Sequence, residues 1–591
     1  MVLFKKLIAA APLVHGAIAQ STGDGEKVWA AVAFINHGER VPLADNSRTV
    51  LTPEGAQQML RQGTAFRARY IKNGVNNSEY ENIQTTYLQN LSPDVINNDD
   101  IDIVSQTEEW VSSGALAFMQ GLYPPSPNAY DNSTRGKEIA VNLASGDNKT
   151  DYPLNGYQYP SIRTPSFYDP ESITVQGNAR CSAWRSEVTT NISQNNALGD
   201  LYDSTLPFYQ NLFSTPPFEG LIDINDANLW NAYALWEFVD YQYRHNETVH
   251  EGLKNANSTL SFLNTYAATI VRAENSNGGG MSDNSELGVL YSIAGRTLAY
   301  KVAQQFKANI RWNSSFNKLN LIFGSLDPIM SFISLSGLLT SDNIFQEPWS
   351  SLTKPGAALV FELFGQDPDF PDSQPPTNSL RVRMFYRASA DADEPFSNQP
   401  LFKSGPDGIA YSSFIQSMNM VGRSANQWCD ICSPTPAPWC IFTDSDGSYV
   451  GDSSSSIGPV IAGVIGAIIA VAVLVLLAIC MFVCGGLRLR HKGPQDSSHT
   501  AAAAAGTSAG GFKGPEKKEG DADVVVTKQG VHHERVGSWE LRSPSEIPPQ
   551  TSGIVTKDLG SPPPPRRRSL DDSDDDISVM GAAPVKAREN V

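Results

Sequence analysis

Short apolar-rich runs at 28–35, 101–104, 319–323, 358–363 and 380–386 are each bounded by polar or Gly/Pro-containing segments. Runs of this length and composition read as strands. A Pro/Asp-rich turn separates the last two. Between the runs, apolar positions recur with helical spacing at 53–70, 114–121, 232–243 and 292–309. Thr52 directly precedes Pro53 and is placed to cap the first of these helices. Strands alternating with helices predict an α/β fold, a sheet with helices on its faces. The stretch 124–280 is richer in Tyr, Trp and Asn and reads as a mainly helical cap inserted into that sheet domain.

Two longer apolar segments have another character. Lys5 and Lys6 precede an apolar run that ends in Ala17-Ile18-Ala19, the pattern of a signal peptide over 1–19. Residues 457–486 carry no charge and exceed the ~20 residues a bilayer core requires. The basic cluster Leu487-Arg488-Leu489-Arg490-His491-Lys492 follows and stays cytosolic by the positive-inside rule. The expected organisation is a single-pass type I protein of the secretory route, at the cell surface. Its extracellular domain spans 20–443, a stalk 444–456, the transmembrane helix 457–486 and a tail 487–591 without fixed structure.

Composition agrees. Eight Asn-x-Ser/Thr sequons, at Asn76, Asn90, Asn132, Asn148, Asn191, Asn246, Asn257 and Asn313, all precede the apolar span. Of six cysteines, Cys181, Cys429, Cys432 and Cys440 lie on the extracellular side, enough for two disulfides in any of three pairings. Cys429 and Cys432 lack further Cys or His ligands at zinc spacing. Cys480 and Cys484, at the cytosolic end of the span, suit either S-acylation or membrane packing. A formal charge of −18 disfavours nucleic acid as a partner. In the tail, Pro562 to Pro565 run into Arg566, Arg567 and Arg568, a candidate ligand for SH3-type grooves, and Ser569 follows as a candidate kinase site. Such strings also arise by composition alone. Ala462, Gly466 and Ala470 repeat every four positions in the span, a spacing that permits helix pairing.

The candidate chemistry sits just after the first strand, in Asn36-His37-Gly38-Glu39-Arg40-Val41-Pro42. Open α/β sheets bind ligands at the carboxyl ends of their strands. Together with Leu51-Thr52-Pro53-Glu54-Gly55 and 118–125, this segment resembles the histidine acid phosphatase family, in the branch of the histidine phosphatase superfamily that includes phytases and prostatic-type acid phosphatases. The resemblance covers most of 28–440. It implies a phosphorylated small molecule as ligand, with no metal or cofactor. It also implies His37 as the nucleophile that becomes a phosphohistidine, Arg40 as a phosphate-binding arginine and Asp327 as the acid that protonates the leaving alcohol.

Three positions depart from the family pattern. Asn36 replaces the first arginine of Arg-His-Gly-x-Arg-x-Pro, no arginine occurs between Arg69 and Arg135 where a third belongs, and Leu326 replaces the histidine of a His-Asp pair. Loss of one preorganised donor costs ~3 kcal/mol of transition-state stabilisation. The resulting expectation is a surface binding or sensing module with weak or lost phosphomonoesterase activity, the alternative being an active acid phosphatase. Arg163, Arg180 and Arg185 of the cap are candidates for compensating cations. His245 and His250 lie on different helical faces, make no metal pair, and read as surface polar residues beside a sequon.

Overall fold

A computed structural model describes residues 26–442, apart from 46, 73–74, 76–77, 133–136, 277–283, 341, 367–372, 406 and 433–436, together with 524–527 and 530–533. The chain forms two compact units, Met1–Ser455 with Asp576–Val591, and Ser456–Asp575. Among the described residues no helix is long and apolar enough to cross a membrane. The signal segment, the stalk, the apolar span with Cys480 and Cys484, and the Pro/Arg motif of the tail lie outside the described residues. In the second unit the described element is an antiparallel hairpin, Val524–Thr527 with Gly530–His533.

The first unit is built on one mixed sheet. Its strands are β1 (Lys27–Asn36), β2 (Ile101–Ser105), β3 (Ile162–Arg163), β4 (Leu319–Gly324), β5 (Ala358–Gly365), β6 (Arg381–Arg387), β7 (Ser397–Gln399) and β8 (Ile409–Ala410). Their order is β3-β2-β4-β1-β5-β6-β7, with β8 also pairing β6. The β3, β2, β4 and β1 strands run parallel, and β5 onward antiparallel. β1 explains why its sequence does not alternate: Ala31, Ala33 and Ile35 enter one core and Ala30, Val32 and Phe34 the other. A strand covered on both sides must be apolar on both.

Helices α1 (Pro53–Tyr70) and α2 (Glu109–Leu122) cover the first face, through Met59, Phe66 and Phe118. α2 begins five residues earlier than the apolar pattern suggested, because its first turn is polar. A cap follows, with its own core, formed by α3 (Asn196–Phe213), α4 (Ala232–His245) and α5 (Ala256–Asn275). The stretch 124–280 is therefore divided, since it also contributes the edge strand β3. α6 (Ile293–Arg311), α7 (Asp327–Leu335) and α8 (Tyr411–Val421) cover the second face.

Two disulfides select one of the three pairings: Cys181–Cys432 and Cys429–Cys440. They fasten α9 (Ala425–Cys432), where Trp428 stacks on Trp439 and its indole N–H donates to the Gly177 carbonyl at 2.7 Å.

Candidate functional site

Register places three loops side by side. Asn36 pairs with Gly324 and Ser105 with Phe323, so β2, β4 and β1 all end at one edge and release Gln106, Ser325 and His37 there. The antiparallel β5 begins at the same edge, pairing Ala358 with Ile35, so residues 353–357 arrive beside them. The His37 amide donates to the Gly324 carbonyl at 3.0 Å, and the His37 carbonyl accepts from the Gly356 amide at 2.9 Å. The loop then runs across the start of α1 with no space between. A Cβ on Gly38 would lie 2.3 Å from the Gly55 carbonyl oxygen, so both positions require glycine. Thr52 caps α1 as expected, its hydroxyl oxygen accepting from the Gly55 amide at 2.9 Å, and donates to Glu39 Oε1 at 2.8 Å.

His37 is buried, and its Nδ1 lies 2.7 Å from the Gly38 carbonyl oxygen. A carbonyl only accepts, so Nδ1 carries the proton and Nε2 keeps its lone pair. Burial, then the Arg40 guanidinium, pull the imidazole pKa from its ordinary 6.5 to about 3, against the raising effect of the Gly38 bond. The ring is neutral and in the tautomer a nucleophile needs.

Arg40 is less available. Its Nε donates to Glu237 Oε1 at 2.9 Å and its Nη2 to Glu237 Oε2 at 3.2 Å, a bidentate fork on a carboxylate from α4. Its guanidinium carbon lies 5.0 Å from the ring centre of Trp110. Burial opposes its charge, but Glu237 and then Tyr233 outweigh that and hold its pKa above the ordinary value. The cation matched to the phosphate motif already holds an anion.

Asn36, Gln106 and Leu326, around the same strand ends, add no charge. Asn36 Nδ2 donates to the Lys354 carbonyl at 3.0 Å, which fixes the amide on the backbone of the 353–357 loop. Gln106 is buried and its Oε1 accepts from the Ser325 hydroxyl at 3.1 Å. Leu326 is buried in the cap core. Asp327 accepts from Asn275 Nδ2 at 3.0 Å. Burial raises its pKa, opposed by its bonds to Asn275 and Asn178. Nearby, burial and the Asp327 carboxylate push Glu274 up to about 8.

His37 and Arg40 line one cavity of about 40 Å³, together with Leu326. That is room for about three water molecules. Asp327 lines a different one, of about 30 Å³, again with Arg40 and with Gln106. The structure thus brings His37 and Arg40 together and puts Asp327 in the adjoining space. The His37 cavity shares Trp236, Asp240, Arg244 and Pro355 with an open groove of about 330 Å³.

α4 supplies what sequence reasoning missed. Besides Glu237, it turns Asp240 and Arg244 toward the loop, and Arg244 bonds both Glu39, at 2.5 Å, and Asp240. His245 is exposed, as expected of a surface residue, and from the end of α4 it places Nε2 2.8 Å from Glu39 Oε1, while its ring stacks on Tyr241. His250 is exposed too, stacked on Tyr243. The other cap arginines point elsewhere: Arg163 pairs with Asp102 and Glu171, Arg180 lies over Phe167, and Arg185 donates to the Ala179 carbonyl. Around His37, then, three carboxyl groups, Glu39, Glu237 and Asp240, face two guanidiniums, Arg40 and Arg244.

The family model of the histidine phosphatase superfamily (branch 2) matches residues 40–387. The chain belongs to the histidine phosphatase superfamily, branch 2. The match begins at Arg40, just past His37. No curated protein matches the chain. Among solved structures, the phytase of Hafnia alvei in complex with tartrate is 15% identical, covering 70% of this chain and 100% of its own, with a TM-score of 0.41. The D. castellii phytase is 16% identical over 71% of this chain and 85% of its own, TM-score 0.36. The multiple inositol polyphosphate phosphatase of Bifidobacterium longum, complexed with inositol hexasulfate, is 12% identical over 65% and 89%, TM-score 0.36. The α/β fold of the first unit, a mixed sheet with helices, fits a histidine phosphatase superfamily domain.

Proposed function

We propose that this protein is an exported, membrane-anchored branch 2 member whose cleft does not hydrolyse ordinary phosphomonoesters and serves as a binding site at the cell surface. One observation carries the reading: the Arg40 fork is filled by Glu237. A phosphate dianion would have to displace that carboxylate and then lie among Glu39, Glu237 and Asp240, with Asn36 and Leu326 where the family has an arginine and a histidine and no arginine between Arg69 and Arg135. Phosphoryl transfer depends almost wholly on fixed positive charge and donors. The export reading is supported by the two disulfides and by the sequon asparagines: Asn90, Asn148, Asn191, Asn246, Asn257 and Asn313 are all exposed. The tail 487–591 would then offer its proline and arginine motifs to SH3-type or kinase partners in the cytosol.

The full chain, purified in detergent and assayed with p-nitrophenyl phosphate at pH 4 to 6, tests the reading. The expected turnover equals that of His37→Ala. Turnover that His37→Ala abolishes would overturn it.

The His37 tautomer favours a second reading, a latent phosphatase whose intact nucleophile waits for Glu237 to leave. On that reading Glu237→Gln, which keeps the shape and removes the charge, restores turnover that depends on His37. On the first reading Glu237→Gln stays inactive because Asn36, Gln106 and Leu326 still supply no charge.

A further inference from the structure

The parallel strands β1, β2 and β4 end at the His37 cleft, so they begin at the opposite edge of the sheet. There the turn 312–318 carries the chain from the end of α6 into Leu319 of β4. Hydrogen bonds hold this turn to the body. The Ser314 amide donates to the Asn309 carbonyl at 2.9 Å, the Ser314 hydroxyl to the Trp29 carbonyl at 3.0 Å, and Asn309 Nδ2 to the Phe316 carbonyl at 3.1 Å. Asn313 lies in the turn with a φ of 48°, in the left-handed region that asparagine visits more readily than most side chains. It is exposed, and its side chain forms no hydrogen bond among the described residues.

Two aromatic residues beside it are left uncovered. Trp312 is 55% exposed and Phe316 39%, whereas Trp29 and Trp428 are fully buried. The two ring centres are 5.7 Å apart with their planes at 81°, an edge-to-face pair that sets two apolar walls at a corner. Arg311, Asn313 and Ser315 are exposed around them, so the pair is an apolar patch with a polar rim, the form of an interaction site. Between the two aromatic residues the sequence reads Asn313-Ser314-Ser315, a sequon. That decides the occupant. A sugar on Asn313 Nδ2 starts next to Trp312 in the chain, and its bulk shuts a protein partner out of the patch. One face of a pyranose ring presents C–H groups and its rim presents hydroxyls, which matches an aromatic wall bordered by polar residues. Because the turn is already fixed, little ordering cost remains when the sugar packs there.

We propose that Asn313 is glycosylated and that its first N-acetylglucosamine packs on the Trp312 and Phe316 rings, which makes this glycan part of the fold. In the transfer, Asn313 Nδ2 bonds to the anomeric carbon of a lipid diphosphate-linked oligosaccharide. The bond from that carbon to the diphosphate oxygen breaks, and the amide proton goes to the released lipid diphosphate. The proposal rests on the export reading and is independent of whether the His37 cleft is catalytic.

The full chain, expressed in a eukaryotic host that keeps glycans in the high-mannose form and purified in detergent, tests it by glycopeptide mass mapping and hydroxyl-radical footprinting. A glycan on Asn313 is expected, with Trp312 and Phe316 oxidised several times more slowly than in Asn313→Gln. Endoglycosidase trimming to one N-acetylglucosamine should keep that protection, and amidase removal of the whole glycan should abolish it. Asn313→Gln should lower Tm by about 1–3 °C in the wild-type background and leave it unchanged in a Trp312→Ala, Phe316→Ala background. An unmodified Asn313 on a chain whose other sequons carry glycans overturns the proposal and leaves the export reading standing, while a chain without glycans on any sequon overturns both. Equal oxidation of the two rings in wild type and Asn313→Gln, or protection lost on trimming to one sugar, also overturns it. Protection in Asn313→Gln that rises to the wild-type level with protein concentration assigns the patch to a second copy of the chain and overturns it as well.

Discussion

His37 shows what burial does to one side chain. Its folded pKa of about 3 lies far below the ordinary 6.5, so between these values the unfolded chain takes up a proton that the folded one refuses. The neutral ring therefore contributes stability that is full above pH 6.5 and is lost as pH falls toward 3. Two measurements check this. Imidazole ¹⁵N shifts of His37 should report neutral ring with the proton on Nδ1 down to about pH 4, and His37→Gln should flatten the fall in denaturant midpoint between pH 6.5 and 4. A ring that titrates near 6.5 would remove both the tautomer argument and the stability effect. This residue was legible in sequence, because a histidine in a glycine-containing loop after a strand stands out. Glu237, Asp240, Arg244 and His245 were not. The spacing of apolar residues on α4 says which face is buried in the cap core and is silent on which polar face looks into the cleft. The i,i+4 pair Asp240 and Arg244 was a visible signal, but ordinary helix surfaces carry such pairs too.

At the scale of elements, the sheet is tied to α1 by charge as well as by apolar packing. Glu362 in β5 is fully buried and accepts from Arg69 of α1 at 2.7 Å, from the Tyr70 hydroxyl at 2.8 Å and from Arg383 of β6 at 2.8 Å. Burial opposes the carboxylate, but Arg69 and Arg383 outweigh it and hold its pKa below the usual 4.5. Its stability contribution is therefore present above pH 4.5 and is lost as pH falls through the lower folded value. Glu362→Gln leaves the Arg69 guanidinium short of an anion, and Arg383 with Glu26 alone, and should cost about 3–5 kcal/mol, read from urea unfolding at pH 7. The difference from wild type should shrink below pH 4.5, and a constant difference would count against the ion pair as its cause. The five central strands were legible because burial on both faces leaves short apolar-rich runs, broken only by single polar residues such as Asn320, Glu362 and Arg383. β3, β7 and β8 are two or three residues long and leave no such run, and α3 and α5 are studded with Asn, Ser and Thr that dilute the helical period. The polar first turn of α2 hid its start in the same way.

For the first unit as a whole, the two disulfides differ mainly in the chain they close. Cys181–Cys432 spans 251 residues and Cys429–Cys440 spans 11. Loop-closure entropy of the unfolded chain then gives the first about 5 kcal/mol and the second about 3 kcal/mol. The long link joins the segment at the root of the cap to α9, which also holds Trp428 against the Gly177 carbonyl, so its loss frees the C-terminal end of the domain from the body it was covering. A Cys181→Ser, Cys432→Ser double variant should unfold roughly 5–10 °C below wild type. Cys429→Ser, Cys440→Ser should fall by less, with thermal scans run on unreduced protein in the same detergent. The order of the two effects carries the argument, because both pairs sit in one apolar cluster with Trp184 and Trp439 and lose similar packing. If the short-loop variant proves the less stable of the two, the cross-links act through native packing around the tryptophans and not through the unfolded chain.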